Sequence, residues 1–240
     1  MRILTGEGPL YVQVRKQVVA RIVEGIWLPG NILPSETQLA SYFGVSQGTV
    51  RKALDGLVAE NLIVRHQGKG SFVAIHTPHR ELFHFFHLAT RDGSKQMPAT
   101  SHLLSCSQRR GEKHELSRLN LGTNALVVII ERVRDLGKKP VILERIAVPA
   151  KLFEGLAESG DLPNELYQLY EESYGVTIHK AIEELSVELA SSQTAHHLGV
   201  KTNLPLLAIE RVAETLEGKP VEYRRSLCNC SHHFYLNEIV

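Results

Sequence analysis

Between positions 33 and 58, apolar residues recur with the spacing of two short helices. The apolar side consists of Leu39, Ala40 and Phe43 in the first helix and of Val50, Ala53, Leu54, Leu57 and Val58 in the second. Ser35, followed three residues later by Gln38, is a capping box that starts the first helix. Gly44 and Val45 leave room only for a turn, and Ser46 can cap the second helix.

The polar side of the second helix points to a function. Its first two turns carry Gln47, Thr49, Arg51 and Lys52. A helix that buries one side on its neighbour and presents such residues on the other side is typical of a helix-turn-helix, whose second helix enters the major groove of DNA. An ordinary helical hairpin with a solvated polar face is the alternative. Residues 9–24 predict a further amphipathic helix before this pair.

Two short apolar runs follow, at 62–64 and 71–75, on either side of a glycine-rich basic stretch at 65–70. This pattern predicts a β-hairpin. Beside a helix-turn-helix such a hairpin is a wing, whose glycines allow close approach of the backbone and whose basic side chains contact phosphate. A plain turn is the alternative. A phosphate-binding nucleotide loop fits poorly, because no helix follows.

The second half of the chain contains an internal repeat. Residues 121–145 are similar to residues 200–225, and the motifs Thr-Asn and Glu-Arg-Val recur 79 positions apart. Each copy has the pattern strand, turn, strand, so the copies predict two hairpins of one antiparallel sheet. Three more elements are predicted, namely helices at 161–173 and 191–198 and a strand at 176–190. We therefore expect an α+β domain with its helices on one face of the sheet.

These patterns divide the chain into an N-terminal domain at 1–76 and a C-terminal domain at 96–240. The segment between them, 77–95, is predicted to be a linker that docks on the second domain, because it is too apolar for a free linker. Its large apolar residues are Leu82, Phe83, Phe85 and Phe86.

Charge and composition agree with this division. Residues 1–76 carry eight Lys and Arg against five Asp and Glu, whereas the other 164 residues carry 19 against 21. A modestly basic domain beside a slightly acidic one fits a DNA-binding domain with a partner domain. No apolar run approaches the ~20 residues that span a bilayer, the first residues lack a secretory signal, and three cysteines make no disulfide framework. We expect a cytoplasmic protein with no membrane contact and no cofactor.

The N-terminal residues also carry a family pattern. Its parts are Pro9-Leu10-Tyr11, Leu33-Pro34-Ser35-Glu36, Val45-Ser46, Thr49-Val50-Arg51 and Gly68-Lys69-Gly70-Ser71-Phe72-Val73. In these, residues 8–75 resemble the DNA-binding domain of the GntR family of bacterial transcription regulators. The family usually has arginine where this chain has Thr37 and Gln47, which implies fewer charged contacts and a different operator sequence. Glutamine can still form two hydrogen bonds with adenine.

This resemblance implies that the domain binds double-stranded operator DNA. The residues expected at the interface are Ser35, Glu36, Thr37, Ser46, Gln47, Thr49, Arg51, Lys52, His66, Gln67, Gly68, Lys69 and Gly70. A homodimer would place two recognition helices in successive major grooves, about one helical turn apart.

The C-terminal domain carries a second, more diffuse pattern: Ile130, Arg132, Arg134, Pro140-Val141, Glu144, Leu166-Tyr167, Leu198-Gly199-Val200, Arg211 and Pro220-Val221-Glu222-Tyr223. In these it resembles UTRA, the effector-binding domain of the HutC subgroup, whose fold is similar to that of chorismate lyase. The segment Cys-Asn-Cys-Ser-His-His at 228–233 departs from the family's pattern.

Arg132 and Arg134 lie two positions apart on a predicted strand and therefore share one face. Arginine forks bind carboxylate or phosphate with two hydrogen bonds, so the pair predicts a site for an anion. The resemblance implies an effector pocket with Thr100, Arg132, Arg134, Glu144, Tyr167 and Tyr223. The ligand would be a small anionic metabolite, such as a phosphosugar or a carboxylate. A ladder of ion pairs on an exposed strand is the alternative.

Together these features predict a ligand-responsive transcription regulator, with repression as the commoner mode in the family. One alternative is a lyase similar to chorismate lyase that carries a DNA-binding head, although no catalytic constellation can be argued from spacing. Another is an architectural DNA-binding protein, which a net charge near zero disfavours. A metal site at Cys228, Cys230 and His232 is also disfavoured, because the spacing is not that of common zinc sites.

Overall fold

In the computed structural model, the amphipathic pattern of the N-terminal region forms helices and one hairpin. The elements are α1 (Leu10–Val23), α2 (Glu36–Phe43), α3 (Gln47–Ala59), β1 (Ile63–His66) and β2 (Gly70–Val73). They belong to the first of two units, residues 1–76 and 77–240. The structure describes residues 8–60, 62–74, 87–90 and 98–237. Most of the predicted linker at 77–95 lies outside these residues, so its docking stays a prediction.

The core of the first unit is made by the predicted apolar stripes. Its most buried side chains, at most 1% exposed, are Val14, Val18, Leu39, Phe43, Val50, Ala53, Leu54, Leu57 and Ile63 of β1. The capping box is confirmed, because Ser35 Oγ accepts a hydrogen bond from the Gln38 backbone and Gln38 Oε1 accepts one from the Ser35 backbone. Ser46 Oγ accepts from the Thr49 N–H at 3.2 Å and so fixes the first turn of α3.

The second unit is built from long strands and short helices. Its strands are β3 (Leu88–Thr90), β4 (Pro98–Arg110), β5 (Leu126–Leu136), β6 (Lys139–Pro149), β7 (Lys180–Leu189), β8 (Pro205–Glu214), β9 (Pro220–Cys228) and β10 (His233–Tyr235), and its helices are α4 (Lys113–Arg118), α5 (Leu166–Tyr174) and α6 (Ser192–Leu198). Six strands form an antiparallel sheet in the order β4-β5-β6-β9-β8-β7, and β3 pairs with β10. The predicted α+β class with an antiparallel sheet is confirmed.

The strand order turns the sequence repeat into a structural repeat. The units β4-α4-β5-β6 and β7-α6-β8-β9 have the same order of elements and meet where β6 pairs with β9. Arg145 lies directly opposite Arg225, its counterpart in the second copy. A pseudo-two-fold axis therefore passes between these residues. The copies also agree at Asn120 and Gly199, which follow α4 and α6 with φ of 51° and 62°.

Helices cover both faces of the sheet, so the expectation of helices on one face is wrong. The core cluster around α5 contains Val128, Ile130, Ile146 and Val148. Two further clusters join α4 and α6 to the opposite face, with Ile129 and Ala147 against Leu116 and Leu119, and Ala208 and Leu227 against Ala195 and Leu198. Residues 127–130 are all buried, and such an uninterrupted apolar run requires cover on both faces.

Candidate functional site

In the first unit, the N-terminal end of α3 is an exposed polar surface. Ser46, Gln47, Arg51 and Lys52 are exposed there, and Thr49 is half-buried. The Gln47 amide nitrogen donates a hydrogen bond to Thr37 Oγ1 at the start of α2. The two positions that depart from the family's arginine pattern are therefore in contact with each other.

Glu36, in the first turn of α2, is held by two arginines. Its Oε2 lies 2.8 Å from Arg51 Nη2 of α3, and its Oε1 lies 3.2 Å from Arg65 Nη2 of β1. The hydrogen bond to Glu36 raises the pKa of the Arg51 guanidinium. Glu36 thus connects α2, α3 and the hairpin. Lys52 faces α1, where its ammonium lies 4.2 Å from the centre of the Tyr11 ring.

The tip of the β1-β2 hairpin is exposed from His66 to Gly70. A groove of about 770 Å³ separates this tip from the start of α2, and Ser35 and Glu36 line its other side. Gly70 has a φ of +113°, and a Cβ on it would lie 3.3 Å from Ile32 Cδ1, so only glycine fits without strain. The structure therefore brings Ser35 and Glu36 and the residues predicted from the hairpin to one groove, whereas Thr37 does not line it.

In the second unit, a cavity of about 60 Å³ lies on the face of the sheet that α5 covers. Four of the six residues predicted for the effector line it, namely Arg132, Arg134, Glu144 and Tyr167. Arg132 Nε donates to Glu144 Oε2 at 2.6 Å, and Arg134 Nη1 lies 3.8 Å from Glu144 Oε1. All four are at most 6% exposed, so these ion pairs are not the predicted alternative of a surface ladder.

The charged side chains of this cavity shift one another's pKa values. Burial alone would raise the pKa of the Glu144 carboxyl, but Arg132, Arg224 and Arg134 hold it below its usual range. Burial lowers the pKa of Arg134 to about 10, against the attraction of Glu144 and with the repulsion of Arg132 and Arg224. The guanidinium groups therefore stabilise the charged form of a carboxylate held among them.

Other charged residues of the cavity were not predicted as site residues. Arg224 donates from Nε and Nη2 to the two oxygens of Glu222, each at 2.9 Å, and its Nη1 lies 3.2 Å from Glu144. Arg211 Nε donates to Glu183 Oε1 at 2.7 Å, and the Tyr235 hydroxyl also donates to Glu183.

The internal repeat held the signal for two of them. Arg211 is the counterpart of Arg132, 79 positions later, and Arg224 is the counterpart of Glu144, 80 positions later. In the sheet, Arg132 is paired with Glu144 and Arg211 with Arg224. Equivalent positions on the two sides of the pseudo-two-fold axis therefore meet in the floor of the cavity.

Thr100 and Tyr223, also predicted for the effector, lie elsewhere. Thr100 Oγ1 donates to Asp135 at the β4 edge. Tyr223 belongs to the cluster under α4, on the opposite face of the sheet, where burial raises its pKa to about 12. Their strands carry them to the other face because side chains alternate along a strand. Neither residue lines the cavity.

Cys228 and Cys230 pack in an apolar cluster with Leu88 and Ile142, as small buried side chains do. Within the described residues, one group has potential metal ligands close together, namely Glu112, His114 and Glu115. Arg109 donates to both carboxylates of that group, which makes it an ion-pair cluster. Among the described helices, none is long and apolar enough to cross a membrane.

Comparison with known proteins bears on both units. Residues 10–73 match the family described as bacterial regulatory proteins, gntR family, and residues 94–233 match the UTRA domain. The HTH-type transcriptional repressor NagR of Bacillus subtilis (strain 168) is 29% identical over 219 residues, which cover 91% of this chain and 90% of NagR. The mannosyl-D-glycerate transport/metabolism system repressor MngR of Escherichia coli (strain K12) is 26% identical over 224 residues, 93% of each chain.

A solved structure is similar to the second unit. It is the ligand-binding domain of a protein described as a GntR-family transcriptional regulator from Bordetella bronchiseptica. It is 30% identical with a TM-score of 0.61, over 65% of this chain and 98% of that one. The three names are those of transcription regulators, not of lyases.

Proposed function

The chain belongs to the GntR family of bacterial regulatory proteins and carries a UTRA domain, and we propose that it is a repressor whose operator binding is controlled by a small anionic metabolite. NagR and MngR are both named as repressors, and each is similar to this chain over about nine-tenths of its length. The observation that carries the proposal is the buried arginine cavity in a chain that also presents an exposed recognition helix. Such a regulator acts in the cytoplasm, where bacterial DNA lies.

For DNA, we propose a contact surface made of the α3 tip, the start of α2 and the wing. Gln47 and Thr49 would contact base edges, and Ser35 and the residues from His66 to Gly70 would contact the sugar-phosphate backbone. We propose that Glu36 orients Arg51 and Arg65 and does not itself touch DNA, because it is engaged by both arginines and would repel phosphate.

For the effector, the supporting evidence is the charge of the cavity. Four arginines and three glutamates line it, and the buried Glu222, which binds Arg224, brings the charges of the cluster close to balance. Four guanidinium groups still converge on one small cavity, so an anionic group that replaced one of their present partners would be held by charge-assisted hydrogen bonds. The carboxylates and the hydroxyls of Ser226 and Tyr235 could bind sugar hydroxyls. A phosphosugar or a sugar with a carboxylate combines both features. The mannosyl-D-glycerate in the name of MngR is such a sugar.

For the assembly, we propose a homodimer joined at the edge strand β7. β7 pairs with β8 over ten residues in unbroken register, and its Leu185, Val187 and Leu189 are 49%, 71% and 63% exposed. Its counterpart β4 is the other edge, but it begins with a proline and has two irregularities in register. Proline and bulges protect an edge, whereas a regular apolar edge favours pairing with another strand. Two antiparallel copies of β7 would be related by a two-fold axis, as a palindromic operator requires.

A gel-shift experiment tests the function. The full chain is titrated on DNA from upstream of its own gene at moderate salt, with a scrambled duplex as control. We expect a specific shift, and its release by a sugar phosphate or by mannosyl-D-glycerate. Arg134→Gln should keep the shift and lose the release. Absence of a specific shift would refute the proposal that the chain is a DNA-binding regulator. If the ligand released the Arg134→Gln variant from DNA as well as it releases the wild type, the proposed effector site would be refuted.

A further inference from the structure

One short segment of the same chain, Pro163 and Asn164, binds Arg132 and Arg134. It lies directly before Glu165, the residue that precedes α5. Arg134 donates from Nε and Nη2 to Asn164 Oδ1, at 3.3 and 3.1 Å. Arg132 Nη1 donates to the carbonyl oxygen of Asn164 at 3.0 Å and to that of Pro163 at 3.5 Å. Two neighbouring arginines therefore contact three oxygen atoms of Pro163 and Asn164.

These contacts resemble those of a bound anion. Nε and one Nη of a guanidinium are parallel donors that fit the two oxygens of a carboxylate or phosphate. In Arg134 both donors converge on one amide oxygen, which carries no charge. An anionic oxygen adds to these hydrogen bonds a Coulombic attraction to the guanidinium that a neutral amide oxygen lacks, so an anion is a better partner for the same donors.

We propose that Asn164 is a built-in substitute for the anionic group of the ligand, and that the ligand must displace it from Arg134 in order to bind. This inference rests on the proposed effector site. The size of the cavity supports it, because about 60 Å³ holds a few water molecules and no metabolite. A ligand therefore needs a wider cavity, and displacement of Asn164 at the arginine end would widen it.

Displacement of Asn164 would be transmitted to α5. The helix begins at Leu166, directly after this segment, and its N-terminus has no side-chain cap. From α5, the hydroxyls of Tyr167 and Tyr170 donate to the two oxygens of Glu222, at 3.0 and 2.9 Å. Glu222 in turn binds Arg224 in the cavity floor. Asn164 is therefore a positioning residue that couples occupancy of the arginines to the start of α5.

The test measures binding of inorganic phosphate to the full chain by isothermal titration calorimetry. Asn164→Ala removes the competing oxygen and should bind phosphate about tenfold more tightly, which corresponds to the loss of one hydrogen bond to a charged group. Asn164→Asp places a tethered carboxylate on Arg134 and should bind phosphate at least about tenfold more weakly. Gln168→Ala, in α5 but outside the cavity lining, is the matched control and should bind like the wild type.

Opposite signs for the two variants support the inference, because a residue that merely contacts the ligand would weaken binding when changed to alanine. Binding of Asn164→Ala that is equal to or weaker than that of the wild type overturns it. If this variant does not fold, Asn164→Asp decides alone, and wild-type affinity there overturns the inference. Arg134→Gln separates the two proposals. If only Arg134→Gln loses phosphate binding, the effector site is supported and the role of Asn164 is refuted. If all variants bind phosphate equally, the effector site itself is refuted.

Discussion

Replacing Glu144 by glutamine should destabilise the second unit strongly. Its carboxylate lies 2.6 Å from Arg132 Nε, 3.2 Å from Arg224 Nη1 and 3.8 Å from Arg134 Nη1, and every one of these residues is at most 6% exposed. Removing one partner of a buried ion pair costs about 3–5 kcal/mol, because the remaining charges stay buried. For a unit of this size, that loss lowers the melting temperature by about 10 °C.

The matched control is Glu184→Gln. Glu184 accepts two hydrogen bonds from Arg118, at 2.7 and 2.6 Å, but its side chain is 60% exposed. An exposed pair contributes at most about 1 kcal/mol, so this variant should stay close to the wild type. Urea unfolding followed by circular dichroism compares the two. The reasoning is refuted if Glu144→Gln lowers the free energy of unfolding no more than Glu184→Gln.

Acid should reduce the difference in stability between the wild type and Glu144→Gln. The arginines hold the pKa of Glu144 below its usual range, whereas the carboxyl has a pKa of about 4.3 in the unfolded chain. A lowered pKa in the folded state gives stability that is complete above about pH 5, begins to fall as the pH drops through the unfolded-state pKa, and continues to fall until the pH reaches the lower folded-state pKa. The gap in melting temperature should therefore be largest near neutrality and shrink below about pH 4. A gap that stays constant with pH would show that charge is not its cause.

Three further predictions concern DNA and assembly. Gln47→Ala should cost about 1–3 kcal/mol of binding to the cognate operator and relax the preference at one base pair, measured by gel shift over single-base operator variants; an equal loss on scrambled DNA would contradict base contact. Lys69→Ala should weaken binding to all duplexes alike and reduce the slope of log affinity against log salt by about 1, and an unchanged slope would exclude a phosphate contact. Val187→Lys should convert the proposed dimer to a monomer in analytical ultracentrifugation, whereas Leu104→Lys on the β4 edge should not; dimers of both variants would exclude the β7 edge.

Much of the first unit follows from local sequence. The capping box at Ser35 and Gln38 and the stripe from Val50 to Leu57 depend on contacts within a few residues, so their pattern predicts them directly. The contact between Gln47 and Thr37 is different, because it joins two helices. The sequence shows that both positions depart from the family pattern, but only the fold shows that they are hydrogen-bonded to each other.

The cavity marks the limit of prediction from the sequence. Arg132 and Arg134 could be placed on one face because side chains alternate along a strand. Arg211 and Arg224 were visible as repeat counterparts, yet their arrival in the same cavity depends on how the two copies pair. Thr100 and Tyr223 failed to join the site for the same reason, since the register of long strands decides which face each residue occupies.

By itself, the sequence determined the two domains, the helix-turn-helix with its wing, the repeated hairpins and the arginine pair. All of these depend on periodicity or on short motifs. The tertiary structure alone decided that helices cover both faces of the sheet and that counterpart residues of the repeat meet in one floor. It also decided that Asn164 contacts the arginines. Those contacts join residues about 30 to 80 positions apart. Strand pairing and the packing of α5 on the sheet set their distances, and no local pattern encodes either.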